Sequence, residues 1–356
     1  MDGHGRRLTI DVPRAFRRGS SANPRASARC PLDNRSSILA ACLALAVALA
    51  CASHGALAFD LEGHRGARGL APENTLAAFR RALAIGVTTI ETDVAITRDG
   101  VAVISHNPKL VPEIVRDASG KWLAQPGPPI HSLTLAQLRT YDIGRLNPAT
   151  RYASEFPEQQ ASDGERFPTL REVLALVAAG AKPVRLNLET KVTPDDAGDT
   201  ASPAEFVRVI VDAVREAKLA DRVTIQSFDW RTLREVKRVA PSIPTSCLTI
   251  ESSGMNTMAP GADGRSPWHA GLALADYPSV PALVAAAGCS TWSMFWRNLT
   301  PALVEDAHAH GLAVLPWTVN DPAQMTRLVA MGVDGIITDY PDRLREVLRA
   351  KGLPLP

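Results

Sequence analysis

From Phe59 to the carboxyl end one unit recurs: a short apolar strand, a turn, a helix closed by glycine, then the next strand. Strands are read at residues 57–63, 88–94, 184–188, 223–226, 245–248, 291–294, 312–315 and 335–338. Gly86, Gly180, Gly288, Gly311 and Gly332 are expected to supply the left-handed residue that ends a helix. Asn74, Ser202-Pro203, Thr300-Pro301 and Asp321-Pro322 mark helix starts, with a side-chain acceptor or a proline in the first turn. Leu76, Phe79 and Leu83 follow helical spacing. Strands that alternate with helices pair in parallel, so the eight units predict an α/β fold, a closed (β/α)8 TIM barrel. An open doubly wound sheet is the alternative, but no G-x-G-x-x-G follows the first strand.

Two segments break the pattern. Residues 101–105, after Asp99-Gly100, are expected to pair beside the second strand as a hairpin. Residues 108–167 then form a Pro-, Gly- and polar-rich stretch around Trp122, read as a subdomain inserted after the second strand and hairpin. A shorter irregular stretch, 252–280, surrounds Trp268. Inserts of this kind at one end of a barrel commonly wall a substrate site.

The net charge of +2 conceals an asymmetry. Residues 1–35 hold eight arginines and three aspartates, and 36–58 hold no charged residue, which leaves 31 basic and 34 acidic residues from Phe59 onward. That body is mildly acidic, which argues against nucleic acid as a partner. The apolar run 38–52 is short of the roughly twenty residues that span a bilayer. With Ala56-Leu57-Ala58 behind it, it reads as a secretory signal. Residues 1–58 are therefore expected to be a leader and signal peptide and 59–356 the barrel. The mature protein is expected to be secreted, periplasmic, and without a stable membrane span. Of five cysteines only Cys247 and Cys289 lie in the body. Each falls in or beside a core strand, where a thiol behaves as a small hydrophobe, and they are expected to stay unbridged.

The chemistry-bearing residues concentrate in one stretch. It reads Gly63-His64-Arg65-Gly66, Pro72-Glu73-Asn74-Thr75, Glu91-Thr92-Asp93, Thr97-Arg98-Asp99-Gly100 and Ser105-His106-Asn107. Two imidazoles can take and give a proton near neutral pH. Two carboxylates two residues apart on a strand face one way and can hold a hard cation. Arginine grips an oxyanion through its forked donors. On the strand map His64, Glu91, Asp93, His106 and the distant Glu189 converge on the carboxyl rim, the reactive end of such a barrel. Three carboxylates without cysteine make an oxygen site suited to Ca2+ or Mg2+ rather than zinc.

These motifs, with Leu186-Asn187-Leu188-Glu189-Thr190-Lys191, Ser227-Phe228, Trp317-Thr318-Val319-Asn320 and Gly332-Val333-Asp334-Gly335-Ile336-Ile337-Thr338-Asp339, resemble the glycerophosphodiester phosphodiesterase family in order and spacing. The resemblance implies a (β/α)8 barrel, a divalent metal, and hydrolysis of a small glycerophosphodiester to glycerol 3-phosphate and an alcohol. It implies Glu91, Asp93 and Glu189 as metal ligands, and His64 and His106 as the acid/base pair, with His64 the base. It implies Arg65 and Lys191 on the phosphate, and Phe228 and Trp317 against the glycerol or alcohol. One position departs: many members carry Asp after the second histidine, where this chain has Asn107, and the change is expected to lower the pKa of His106. His308 and His310 are read as structural, on a solvated helix. The rival readings are a phospholipase-like barrel acting on intact lipids and a catalytically silent binding protein on the same fold.

Overall fold

The computed structural model describes residues 59–195 and 198–355; the leader, its cleavage pattern and the start of the first expected strand lie outside them. Nine strands are present among these residues: β1 Asp60–Gly63, β2 Thr89–Ile96, β3 Ala102–Ile104, β4 Arg185–Thr190, β5 Val223–Ser227, β6 Thr245–Thr249, β7 Thr291–Met294, β8 Ala313–Val314 and β9 Gly335–Thr338. Their spatial order is β8-β7-β6-β5-β4-β2-β1-β9, all parallel, with β3 antiparallel to β2 off the path. The Asp334 and Ile337 amides donate to the Val314 and Pro316 carbonyls at 3.0 Å each, joining the two ends. The result is the expected (β/α)8 barrel with its added hairpin strand. β8 is shorter than expected because Pro316 has no amide to offer, although Leu315 and Trp317 still donate to Trp292 and Met294 at 3.0 Å.

The helices between the strands are α1 Leu76–Ile85, α2 Leu135–Leu138, α3 Arg151–Glu155, α4 Leu170–Ala178, α5 Pro203–Glu216, α6 Trp230–Val239, α7 Val280–Ala287, α8 Pro301–Ala309, α9 Pro322–Met331 and α10 Pro341–Ala350. Ser202, Thr300 and Asp321 cap as expected. Thr75, not Asn74, caps α1, accepting from the Ala78 amide at 3.1 Å; Asn74 is turned out of that role at φ 56°. Gly86, Gly288 and Gly332 close helices in the left-handed region, whereas α4 ends on Ala179 in ordinary helical geometry, so Gly180 is not a left-handed cap.

Strand alternation divides the side chains by chemistry. Leu61, Ile90, Leu186, Leu188 and Ile225 pack with Phe79, Phe206, Ile210, Leu233 and Val236 of the helices in one buried cluster. Each such side chain contributes roughly 1.5–3 kcal/mol when fully buried, so this outer layer carries the fold. The alternate positions Glu62, Glu91, Asp93, Asn187, Glu189 and Gln226 are polar yet buried. Between β3 and β4 the chain makes a second, smaller core of Leu110, Val115, Ile130, Leu138, Ile143 and Phe167 against Ala95 and Val103.

Cys247 and Cys289 are bridged, with Cα atoms 5.9 Å apart, against the expectation of free thiols. The pairing of Ser246 with Thr291 draws the residues just before β7 alongside β6, within the reach of a disulfide. Trp292 is core, its indole donating to Thr249 Oγ1 at 2.9 Å. His308 pairs with Asp334 at 2.9 Å and His310 with Asp306 at 3.5 Å, both structural as expected. Among the described residues no helix is long and apolar enough to cross a membrane.

Candidate active site

Beyond β1 the chain folds back on itself. A Cβ on Gly63 would lie 2.0 Å from the Gly66 carbonyl oxygen, so only glycine permits this turn. Arg65 stands at φ 50°, which turns its amide toward Glu91 Oε2 at 2.9 Å. The backbone of Arg65 thus meets one carboxylate while its guanidinium reaches another, Glu73 Oε1, at 2.6 Å.

Parallel pairing of β2 with β4 sets Asp93 beside Glu189, and Glu91 lies two residues earlier on the same face as Asp93. All three are buried, and each offers an oxygen within 4.8 Å of the others. Ionised carboxylates that close repel by roughly 3 kcal/mol per pair at an effective dielectric of about 20. Burial, then Asp93 and Glu189, push the Glu91 carboxyl well above its usual range. Burial also raises Glu189, against the pull of Lys191. Asp93 goes the other way: although burial opposes it, His106, Lys191 and Arg65 hold it below the usual carboxylate range. Its Oδ1 is buried with no hydrogen-bond partner. An orphaned carboxylate oxygen within an all-oxygen, mutually repelling cluster fits a hard divalent cation.

His64, Lys191 and His106 lie against this cluster. His64 Nε2 is 3.9 Å from Glu91 Oε2, and its Nδ1 is 2.6 Å from Asp339 Oδ1. Burial, then Arg68, brings the His64 imidazole down to about 4. Lys191 Nζ donates to Glu189 Oε1 at 2.6 Å and lies 3.6 Å from Asp93 Oδ1; burial disfavours its charge, but Glu189 and Asp93 outweigh it and raise its pKa. His106 Nδ1 is 2.9 Å from Asn107 Oδ1. Its pKa is well below the usual imidazole range: burial is the largest contribution, followed by Arg65 and Lys191, while the hydrogen bond to Asn107 works upward. Phe228 and Trp317 follow β5 and β8, two and three strands from β2 on its two sides around the ring, and pack edge to face at 5.5 Å. Phe295 and Trp268 extend this half-buried aromatic set, at 5.9 Å from Trp317 and 6.3 Å from Phe228.

Several buried partners join the site that the sequence does not assign to it. Asn74 Nδ2 donates to Asp93 Oδ2 at 3.0 Å, and its Oδ1 accepts from Thr92 at 2.8 Å. Gln226 Nε2 donates to Glu91 Oε1 at 2.8 Å and is braced by Asn187 at 3.1 Å. Asp339 accepts from Arg68 and from Asn320. Burial opposes its charge, yet Arg68 and His64 hold it below the usual carboxylate range. Glu73, Asn74 and Asp339 stand in the motifs already noted, so their positions were visible; Gln226 had no signal.

A model of the glycerophosphoryl diester phosphodiesterase family matches residues 64–343. The glycerophosphodiester phosphodiesterase of Caldanaerobacter subterraneus subsp. tengcongensis is 32% identical over 293 residues, 81% of this chain and 97% of that protein. That of Bacillus subtilis is 29% identical, over 80% of this chain and 84% of that protein. A solved structure from Silicibacter pomeroyi, assigned by name to the glycerophosphoryl diester phosphodiesterases, aligns with a TM-score of 0.74 at 38% identity, covering 85% of this chain and 97% of its own. A phosphodiesterase of Oleispira antarctica, solved with the product sn-glycerol-3-phosphate, shares the fold at a TM-score of 0.60 and 23% identity, over 82% of this chain and 97% of its own. With the family's motifs gathered on one rim and the match running across most of its length, the chain belongs to the glycerophosphoryl diester phosphodiesterase family and is a phosphoric diester hydrolase.

Proposed function

We propose that this enzyme hydrolyses small glycerophosphodiesters to glycerol 3-phosphate and an alcohol, using His64 and His106 as base and acid and a divalent cation, Ca2+ or Mg2+, on Glu91, Asp93 and Glu189. The observation that carries the reading is the meeting of that carboxylate cluster with His64, Arg65 and Lys191. A product of the proposed kind, sn-glycerol-3-phosphate, is bound by the Oleispira relative.

Bound there, a divalent cation would supply positive charge to a phosphoryl oxygen as the transition state forms. The protein groups do the rest. With Nδ1–H donated to the ionised Asp339, neutral His64 presents Nε2 as a base, and its depressed pKa keeps it neutral at pH 7. Asp339 then balances the charge His64 gains when it takes a proton from the attacking hydroxyl, whether water or the substrate's own glycerol 2-OH, the latter giving a cyclic phosphate that water then opens. Arg65, with a buried Nε that lacks a hydrogen-bond partner, has donor capacity for a phosphoryl oxygen. Lys191 adds a second positive charge. The substrate's negative charge offsets the two cations that hold the His106 pKa down, which favours a protonated His106 able to protonate the leaving alkoxide. Phe228 and Trp317 offer apolar faces to the glycerol or alcohol.

We also infer that the protein is secreted and works in the periplasm. The signal-like leader supports this, as does the Cys247–Cys289 bridge, which persists in oxidising compartments. The test of function is incubation with glycerophosphocholine and with phosphatidylcholine, with and without EDTA, assaying glycerol 3-phosphate and choline. Glycerol 3-phosphate from the small diester alone, abolished by EDTA, is expected. Cleavage of only the intact lipid, or of neither, overturns the reading.

A further inference from the structure

Outside the carboxylate cluster a ring of hydrogen bonds joins the base to the phosphate-binding arginine. Arg65 donates through Nη1 to Glu73 Oε1 at 2.6 Å. The other oxygen of Glu73 accepts from the Tyr152 hydroxyl, which itself accepts from Arg68 Nη1 at 3.1 Å. Arg68 grips both oxygens of Asp339 at 2.8 and 3.0 Å, and Asp339 holds His64 Nδ1 at 2.6 Å. The peptide bond between His64 and Arg65 closes the ring. Every member comes from the segment after β1 or from the end of β9 except Tyr152, which α3 contributes from within residues 108–167.

We propose that Tyr152 is a positioning residue for the reaction: its hydroxyl fixes the Glu73 carboxylate, and through it the Arg65 guanidinium that meets the phosphate. The residues between β3 and β4 would then complete the catalytic machinery as well as wall it. Glu73 is only 3% exposed, so water does not readily replace a lost donor. A carboxylate held at one oxygen turns about a soft terminal torsion; held at both, it keeps one plane, and Arg65 stays with its Nε 3.4 Å from Asp93 Oδ2. The Tyr152 ring is fixed independently of its hydroxyl. It packs edge-on to Phe156 at 5.2 Å, and the Arg68 guanidinium lies 4.6 Å above the Phe156 ring. Tyr152→Phe therefore removes the oxygen and leaves the packing.

The inference rests on the proposed phosphate role of Arg65, and the test separates the two. Inorganic phosphate binding to the metal-loaded protein is measured by calorimetry, alongside kcat and KM for glycerophosphocholine. Tyr152→Phe is expected to weaken phosphate binding about tenfold, the size of one hydrogen bond to a charged group, and to lower kcat/KM by at least as much. Glu73→Gln is expected to weaken phosphate binding too, and adding Tyr152→Phe to it should cost little more, because the hydroxyl acts through Glu73. Phosphate binding unchanged in Tyr152→Phe, or effects of the two substitutions that multiply, would overturn the proposal. If phosphate binding depends on Tyr152 while no diester is turned over by the parent protein, the functional reading fails and only the positioning of Arg65 on phosphate stands. Turnover with a silent Tyr152→Phe gives the converse.

Discussion

His64 and Asp339 lie 275 residues apart in the chain and 2.6 Å apart in the fold, joined because β1 and β9 are neighbours with Gly63 paired to Thr338. The contact selects the tautomer that frees His64 Nε2. Asp339→Asn keeps the shape but removes the charge that balances the imidazolium. A fall in kcat of about 100-fold is expected, at the lower end of what a positioned acid or base contributes. Arg68 also loses its ionic partner, so a lower melting temperature should accompany it. Steady-state kinetics and thermal denaturation of the purified variant check both.

The depressed pKa of His64 links stability to pH. Its folded value, about 4, is below the ordinary 6.5, so the unfolded chain takes up the proton first. The contribution is complete above about pH 6.5 and is lost as pH falls toward 4, a loss of roughly 3 kcal/mol for a shift of this size. Denaturant unfolding at pH 7.5 and at pH 4.5 should show His64→Gln losing less stability over that interval than the parent. Equal losses would remove His64 as the cause.

Asn107 should tune the acid. Asn107→Asp puts a negative charge beside His106 and favours its protonated form, so the alkaline limb of the pH–rate profile is expected to move upward. An unchanged profile would mean that burial, Arg65 and Lys191 alone set His106.

Metal removal should cost stability as well as activity. If the cluster of Glu91, Asp93 and Glu189 holds a cation, saturation at about 100 times its Kd contributes about 2.7 kcal/mol. EDTA should lower the melting temperature of the parent, and Ca2+ or Mg2+ should restore it. Asp93→Asn should make the melting temperature indifferent to either addition.

The Cys247–Cys289 bridge closes a segment of sequence separation 42, and loop closure of that length contributes about 4 kcal/mol in the chain-entropy account. The paired Cys247→Ser and Cys289→Ser variant should unfold at lower denaturant, by a few kcal/mol, with KM unchanged. A shift below about 0.5 kcal/mol would show that the pairing of β6 with β7 suffices.

The barrel was legible because each strand, cap and closing glycine is a local signal, and repetition of one unit leaves few closed arrangements. His64, Glu91 and Asp93 were legible for the same reason: period-two alternation and strand ends need no partner to be read. Asn74 looks like the cap because Asn is the stronger capping residue of the pair; only the fold shows Thr75 capping and Asn74 bound to Asp93. The Cys247–Cys289 bridge is not legible in the sequence, because bridging depends on distance between strands, which local pattern does not contain.

The sequence by itself determined the eightfold alternation and the identity of the groups that carry charge, since both follow from backbone periodicity and side-chain chemistry. Tertiary structure decided how those groups behave. Register set Asp93 against Glu189, ring closure brought Asp339 to His64, and α3 delivered Tyr152 to Glu73. Burial then pushed Glu91 and His64 away from their ordinary protonation. These are properties of distance and dielectric, and they exist only once the chain has closed.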